Sequence, residues 1–206
     1  MIESDRPTLR GGHGGEGDPR EREPARDGPG VGAPLILSLR LAEADQLRLN
    51  RLRDAHFPPE RNFLRAHVTL FHHLPSDALA TLTADLQDAA RRPAFPARVA
   101  RLRSLGRGVA LSLEADALNT LRASLARRWE GWLGAQDRQR FQPHVTIQNK
   151  VDPAEAKRLF AELSAGFAPW TVTATGLSLW WYRGGPWEAA GEWAFLDAEP
   201  VAFRAG

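Results

Sequence analysis

The 206-residue chain contains no cysteine. That absence excludes a disulfide framework, a thiolate metal site and a cysteine nucleophile together, and it fits a reducing cytoplasm as the expected compartment. Lysine is nearly missing too: of 27 basic residues only Lys150 and Lys157 are lysines, and the rest are arginines. A guanidinium fork grips phosphate in a bidentate way that an ammonium does not, although most arginines of any chain are ordinary solvated surface. Long apolar runs are lacking as well. No stretch approaches the roughly 20 continuous apolar residues of a spanning helix, and the N-terminus lacks the basic-then-apolar order of a signal peptide, so no membrane partner is expected. The formal net charge is only +2.

What the chain does have is enough apolar material, 43% of its residues, to bury the core of one domain or of two small packed lobes. Almost none of it lies at the start. Residues 1 to about 33 hold Gly11, Gly12, Gly14, Gly15, Gly17, Gly28, Gly30 and Gly32 among alternating charges and four prolines, the composition of a disordered tail. From Pro34 the pattern changes. Leu35-Ile36-Leu37-Ser38-Leu39-Arg40-Leu41 reads as a buried strand, and a helical pattern over about 42–55 follows, ended by Pro58 and Pro59. Over 63–71 the even positions Leu64, Ala66, Val68 and Leu70 are apolar while Arg65, His67 and Thr69 are not, a period of two that predicts a strand. Ser76 or Asp77 can cap a helix running to about 91, strands are expected near 97–105 and 109–114, and a helix over about 116–133. A strand around 141–148, a helix started by Pro153 and running to about 165, and strands near 171–182 and 188–196 complete the order.

Strand-helix-strand-helix-strand over 35–105 is thus matched by the same order over 109–182, with one strand added. The expected fold is α/β (α+β): one bilobal domain over 34–206 built by internal duplication. Its pseudo-symmetric lobes, about 34–105 and 106–197, have interleaved termini, with sheets lining a central cleft and helices outside. His67 and His144 fall at the same place in each copy. A pseudo-two-fold axis brings such equivalent residues together across a shared cleft.

The repeated element reads Ala66-His67-Val68-Thr69-Leu70 in the first copy and Pro143-His144-Val145-Thr146-Ile147 in the second. On a strand, His and Thr two apart share a face while the residues between and after them enter the core. Each half therefore presents one imidazole and one hydroxyl. Two imidazoles suit an in-line displacement at phosphorus, one taking a proton from the attacking oxygen and the other giving one to the departing oxygen. Thr69 and Thr146 can hold the non-bridging oxygens without adding a competing charge. This arrangement requires no metal and no cofactor.

A pair of His-x-Thr elements set in duplicated α/β halves resembles the 2H phosphoesterase superfamily, and within it the bacterial, LigT-like branch of 2′-5′ RNA ligase-like cyclic phosphodiesterases. The resemblance covers about residues 34–197, including Leu-Phe-His-His-Leu-Pro at 70–75 and Gly-Gly-Pro-Trp-Glu at 184–188. It implies a monomer acting on RNA ends or small cyclic-phosphate nucleotides, opening 2′,3′-cyclic phosphates or reversibly joining ends through a 2′-5′ bond without ATP. It implies His144 as general base and His67 as general acid, reversed in the synthetic direction. A nucleotide derivative such as an ADP-ribose cyclic phosphate, or a non-catalytic nucleotide-binding role, stays open.

Other residues are candidates for contacts around the two motifs. Phe71, counted on the His67 face, and Tyr182 at a strand end are candidates to stack on a base. Arg65 and Phe63 share the His67 face and Gln148 that of His144, so they are candidates for the substrate rim; His72 and His73 follow the first motif and can line the cleft. A metal reading would recruit His67, His72, His73 and His144, but no His-Glu-x-x-His spacing or carboxylate cluster supports it. Arg122, Arg127 and Arg128 are expected on the solvated face of their helix. Most of Trp170, Trp180, Trp181, Trp187 and Trp193 are expected in the core or in strand pairing.

Overall fold

A computed structural model describes residues 32–196. The Gly-rich segment lies outside the described residues except for its last two positions, 32 and 33. Strand β1 (Leu35–Leu41) is apolar and buried at nearly every position, as befits a strand with neighbours on both edges and cover on both faces. Helix α1 (Glu43–His56) opens with Glu43 and Asp45 and closes with Arg53 and His56, each charge placed favourably for the helix dipole. β2 (Val68–Leu74), α2 (Leu79–Ala89) and β3 (Phe95–Ser104) complete the first half. The second half repeats the order as β4 (Val109–Glu114), α3 (Asp116–Arg128), β5 (His144–Gln148), α4 (Pro153–Ala165) and β6 (Trp170–Trp181), and β7 (Glu188–Ala194) follows. Helix α4 starts as its sequence dictates: Pro153 occupies the first turn and the Asp152 side chain accepts from the Ala154 amide.

Among the described residues the paired strands are all antiparallel, in the order β2-β1-β6-β3-β4-β5, and β7 takes over the edge of β6 where β3 leaves it. The order is palindromic. Exchanging β1, β2 and β3 for β4, β5 and β6 leaves it unchanged, so each half's third strand pairs with the first strand of the other half. The halves are thereby joined edge to edge through β6 and β3 over one continuous apolar core. β2 and β5 end the strand order at opposite sides, yet they contact one another, so the sheet curls into an open half-barrel. Glycine is required just before β4: a Cβ on Gly108 would lie 2.0 Å from the Gln148 carbonyl oxygen at the end of β5. No helix among the described residues is long and apolar enough to cross a membrane.

Three boundaries differ from the sequence reading. β2 starts at Val68, not near 63, because side chains of α1 hold the preceding segment: the Ala66 amide donates to Asn50 Oδ1 (3.0 Å) and its carbonyl accepts from Gln46 Nε2 (2.6 Å). Likewise β5 starts at His144, after Pro143. Neither Ser76 nor Asp77 caps α2; both belong to a 3₁₀ turn, Ser76–Ala78, that runs into the helix.

Candidate active site

His67 and His144 each begin a motif strand, His67 one residue before β2 and His144 as the first residue of β5. Both are half-buried. Both rings are fixed in the same way: His67 Nδ1 bonds the Arg65 carbonyl at 2.8 Å and His144 Nδ1 bonds the Gln142 carbonyl at 2.9 Å. A carbonyl only accepts, so Nδ1 carries the proton in each ring and the neutral imidazole holds its lone pair on Nε2. Arg65 thus serves the site through its backbone oxygen, while its side chain is exposed.

The two halves meet here. Thr69 of β2 and His144 of β5 line one cavity of about 190 Å³, and His67 feels the charge of His144. Burial pushes the His67 pKa down to about 4; the bond to Arg65 opposes this, while the charges of Arg53, His144 and His72 add to it. The Trp187 ring stands 4.6 Å from the His67 ring and 6.2 Å from that of Trp180. Trp187 follows the Gly184-Gly185-Pro186 turn between β6 and β7, so the hairpin folds an aromatic wall against the first histidine. Tyr182 is half-buried at the end of β6 with its amide bonded to the Pro34 carbonyl. No three metal-ligating side chains converge among the described residues.

The 2′-5′ RNA ligase superfamily model matches residues 41–186. The chain belongs to this superfamily. The structure of TT0787 from Thermus thermophilus superposes with a TM-score of 0.57 at 18% identity, over 79% of this chain and 97% of that one. E. coli LigT complexed with 3′-AMP does so with 0.53 at 21% identity, over 80% and 98%. A further structure described as a phosphoesterase gives 0.52 at 21% identity, over 80% and 98%. These likenesses show the LigT-like fold. No curated protein matches the chain in sequence.

In this LigT-like chain both motif strands carry a β-bulge immediately after the threonine. Ser38 pairs with Thr69 but Leu37 with Phe71, leaving Leu70 as the additional residue; Ala110 pairs with Thr146 but Val109 with Gln148, leaving Ile147. A bulge reverses the alternation beyond it. This corrects two expectations at once. Phe71, 0% exposed, lies against Trp129 and under Arg122 and cannot stack on a base. Gln148, 3% exposed, points to Glu155 of α4 and is not at the rim. Phe63 is exposed ahead of β2, outside any strand. His72 lines the cavity with its Nδ1 on Asp137, while His73 is exposed and meets Asp137 only through its amide.

Arg122 corrects a third expectation, for it is buried rather than solvated. Its Nε donates to the carbonyl of the bulged Leu70 at 2.7 Å and its Nη2 to the Asp137 carbonyl at 2.6 Å. Arg53 is its counterpart: also buried, it donates through Nη1 to the Thr146 carbonyl at 2.8 Å. Each guanidinium lies over a phenylalanine ring, Arg53 over Phe57 at 3.8 Å and Arg122 over Phe71 at 3.7 Å. An arginine from a helix of each half therefore reaches across to the motif strand of the other. Asp137 ties the same network to the edge of β2, accepting from the His72 and His73 amides and from the His72 ring. Burial pushes its carboxyl up, but these bonds outweigh the burial and hold it below the usual range.

The lowered His67 pKa makes stability depend on pH. Between about 6.5 and about 4 the unfolded chain binds a proton at this residue that the folded chain does not. Its contribution is therefore constant above pH 6.5, and the fold loses stability as pH falls toward 4, by on the order of 2 kcal/mol after solvent screening at the cleft mouth. The expected result is that His67→Gln loses less stability than the wild type between pH 7.5 and 4.5 in urea unfolding. Parallel losses in the two proteins would refute the assignment.

Proposed function

We propose that this protein is a metal-independent phosphoesterase that opens 2′,3′-cyclic phosphodiesters of RNA ends or nucleotides by two-histidine acid–base catalysis. The observation that carries the reading is the pair of imidazoles on equivalent elements of the two halves, each held by a carbonyl two residues back so that Nε2 is the working nitrogen. Both histidines come from one chain, so a monomer suffices.

With its pKa lowered to about 4, His67 enters the reaction neutral and can only accept a proton. We therefore assign His67 as general base and His144 as general acid for ring opening, the reverse of the assignment that the family resemblance implies. Water gives a proton to His67 Nε2 as its oxygen bonds to phosphorus, the opposite P–O3′ bond breaks, and His144, which enters this step as the imidazolium with protons on both nitrogens, gives its Nε2 proton to the departing 3′ oxygen, leaving a 2′-phosphomonoester. Thr69 and Thr146 donate to the non-bridging oxygens as negative charge grows there.

The test is incubation with 2′,3′-cyclic nucleotides and with short RNAs ending in a cyclic phosphate, in excess EDTA. Turnover to the 2′-phosphomonoester undiminished by chelator is expected, with kcat/KM holding level as the pH is lowered to about 5, above the His67 pKa of about 4. Abolition by EDTA would overturn the metal-independent mechanism. A kcat/KM that falls tenfold per pH unit from about pH 4 would return His67 to the acid role.

A further inference from the structure

The cavity that opens between Thr69 and His144 extends well beyond the two motifs. Its volume of about 190 Å³ is many times the roughly 10–15 Å³ that a single water needs, which leaves room beyond the reacting phosphate. Besides the motif residues its wall carries Arg103, Arg122 and Arg140 together with the amide side chains of Gln136 and Gln139. Among the described residues the only carboxylate on that wall is Asp137, whose oxygens already accept from His72 and His73. The lining is therefore cationic. Its one aromatic, Phe141, has the Arg122 guanidinium 5.5 Å from its ring, so that face is not open to sandwich a base. Arg122 is committed to the Leu70 and Asp137 carbonyls, but exposed Arg140 and Gln139 bring a guanidinium fork and an amide donor to this cationic wall, and both match phosphate oxygens.

We propose that this side cavity is a binding subsite for a second phosphate of the substrate, the one on the 5′ side of the ribose that bears the reacting phosphate. The proposal rests on the two-histidine reading for the position of the first phosphate. It names the substrate as a nucleotide with two phosphates, either an RNA end or a mononucleotide with a 5′-phosphate. Arg140 is exposed on the cavity wall, so its replacement tests the subsite without touching the buried bonds that Arg122 makes.

The test compares the binding of adenosine 3′-phosphate, adenosine 3′,5′-bisphosphate and the dinucleotide ApAp by calorimetry at fixed salt. Three proteins are used: the wild type, Arg140→Gln, and, as a control, Arg158→Gln on the exposed face of α4. The wild type is expected to bind at least one of the two-phosphate ligands about tenfold more tightly than the monophosphate. Arg140→Gln should narrow that ratio to about threefold or less, and the control should keep it. A gain with ApAp identifies an internucleotide phosphodiester as the source, and a gain confined to the bisphosphate identifies a mononucleotide. Equal affinities in the wild type, or a ratio untouched by Arg140→Gln, overturn the subsite alone. If none of the three ligands binds, the two-histidine cleft is not a nucleotide site, and both readings fall together.

Discussion

Replacing either His67 or His144 with alanine is expected to lower kcat on a 2′,3′-cyclic nucleotide by about 10²–10⁴-fold, the usual contribution of one positioned acid or base. The double variant should fall little further, because acid and base serve one displacement and the loss of either already stalls the proton's path. The structure adds a finer expectation. Each imidazole is held through Nδ1 by a carbonyl two residues back. Glutamine reproduces some of the ring's size but has no nitrogen that both accepts a proton and returns one. His67→Gln and His144→Gln should therefore be as inactive as the alanine variants while keeping a cooperative unfolding transition. A folded single variant that retains a tenth or so of the wild-type kcat would remove that histidine from the proton path, and losses that multiply in the double variant would mean two separate roles.

The fold is legible in the sequence because its signals are local and repeated. The two copies of strand-helix-strand-helix-strand and the His-x-Thr pair identify the duplication, and the structure joins the halves in a palindromic strand order. Periodicity fails where a single residue is inserted into the pairing. Strict alternation puts Phe71 with His67 and Thr69, and Gln148 with His144 and Thr146; the bulges at Leu70 and Ile147 turn both inward. A bulge depends on what the partner strand offers, and no pattern within the bulged strand records it. The start of β2 escapes the pattern for a related reason, since the bonds that hold Ala66 come from Gln46 and Asn50 on α1. Trp187 and Arg122 escape it because their partners are distant in sequence. Trp187 sits beside a visible Gly-Gly-Pro turn, which marks a hairpin that can fold back on the cleft. Arg122 lies among Leu118, Leu121 and Leu125, buried with it on α3, so its place on an apolar stripe is a signal the sequence does carry.

Arg122→Leu is expected to be among the more destabilising single changes in this protein. It leaves the carbonyls of Leu70 and Asp137 without their donor in a buried region and removes the cation from over Phe71. At about 1–3 kcal/mol for each unsatisfied buried acceptor, the cost is roughly 3 kcal/mol, and a domain of this size then melts about 6–12 °C lower. Arg53→Leu removes the guanidinium donor from the Thr146 carbonyl on the other motif strand and from Asn62 Oδ1, so its stability loss should be similar. The two variants part company in their pH profiles. Arg53 is one of the charges that hold the His67 pKa down, and Arg122 is not. Removing Arg53 should move the acid limb of kcat/KM upward from about 4, whereas Arg122→Leu should lower kcat through a loosened bulge at Leu70, next to Thr69, and leave that limb in place. If the stability losses match and the acid limbs do not, the two arginines clamp the motif strands alike and only Arg53 also tunes the base. If both variants shift the limb equally, the shift reflects a general opening of the cleft to water, and the particular charge of Arg53 beside His67 is not its cause.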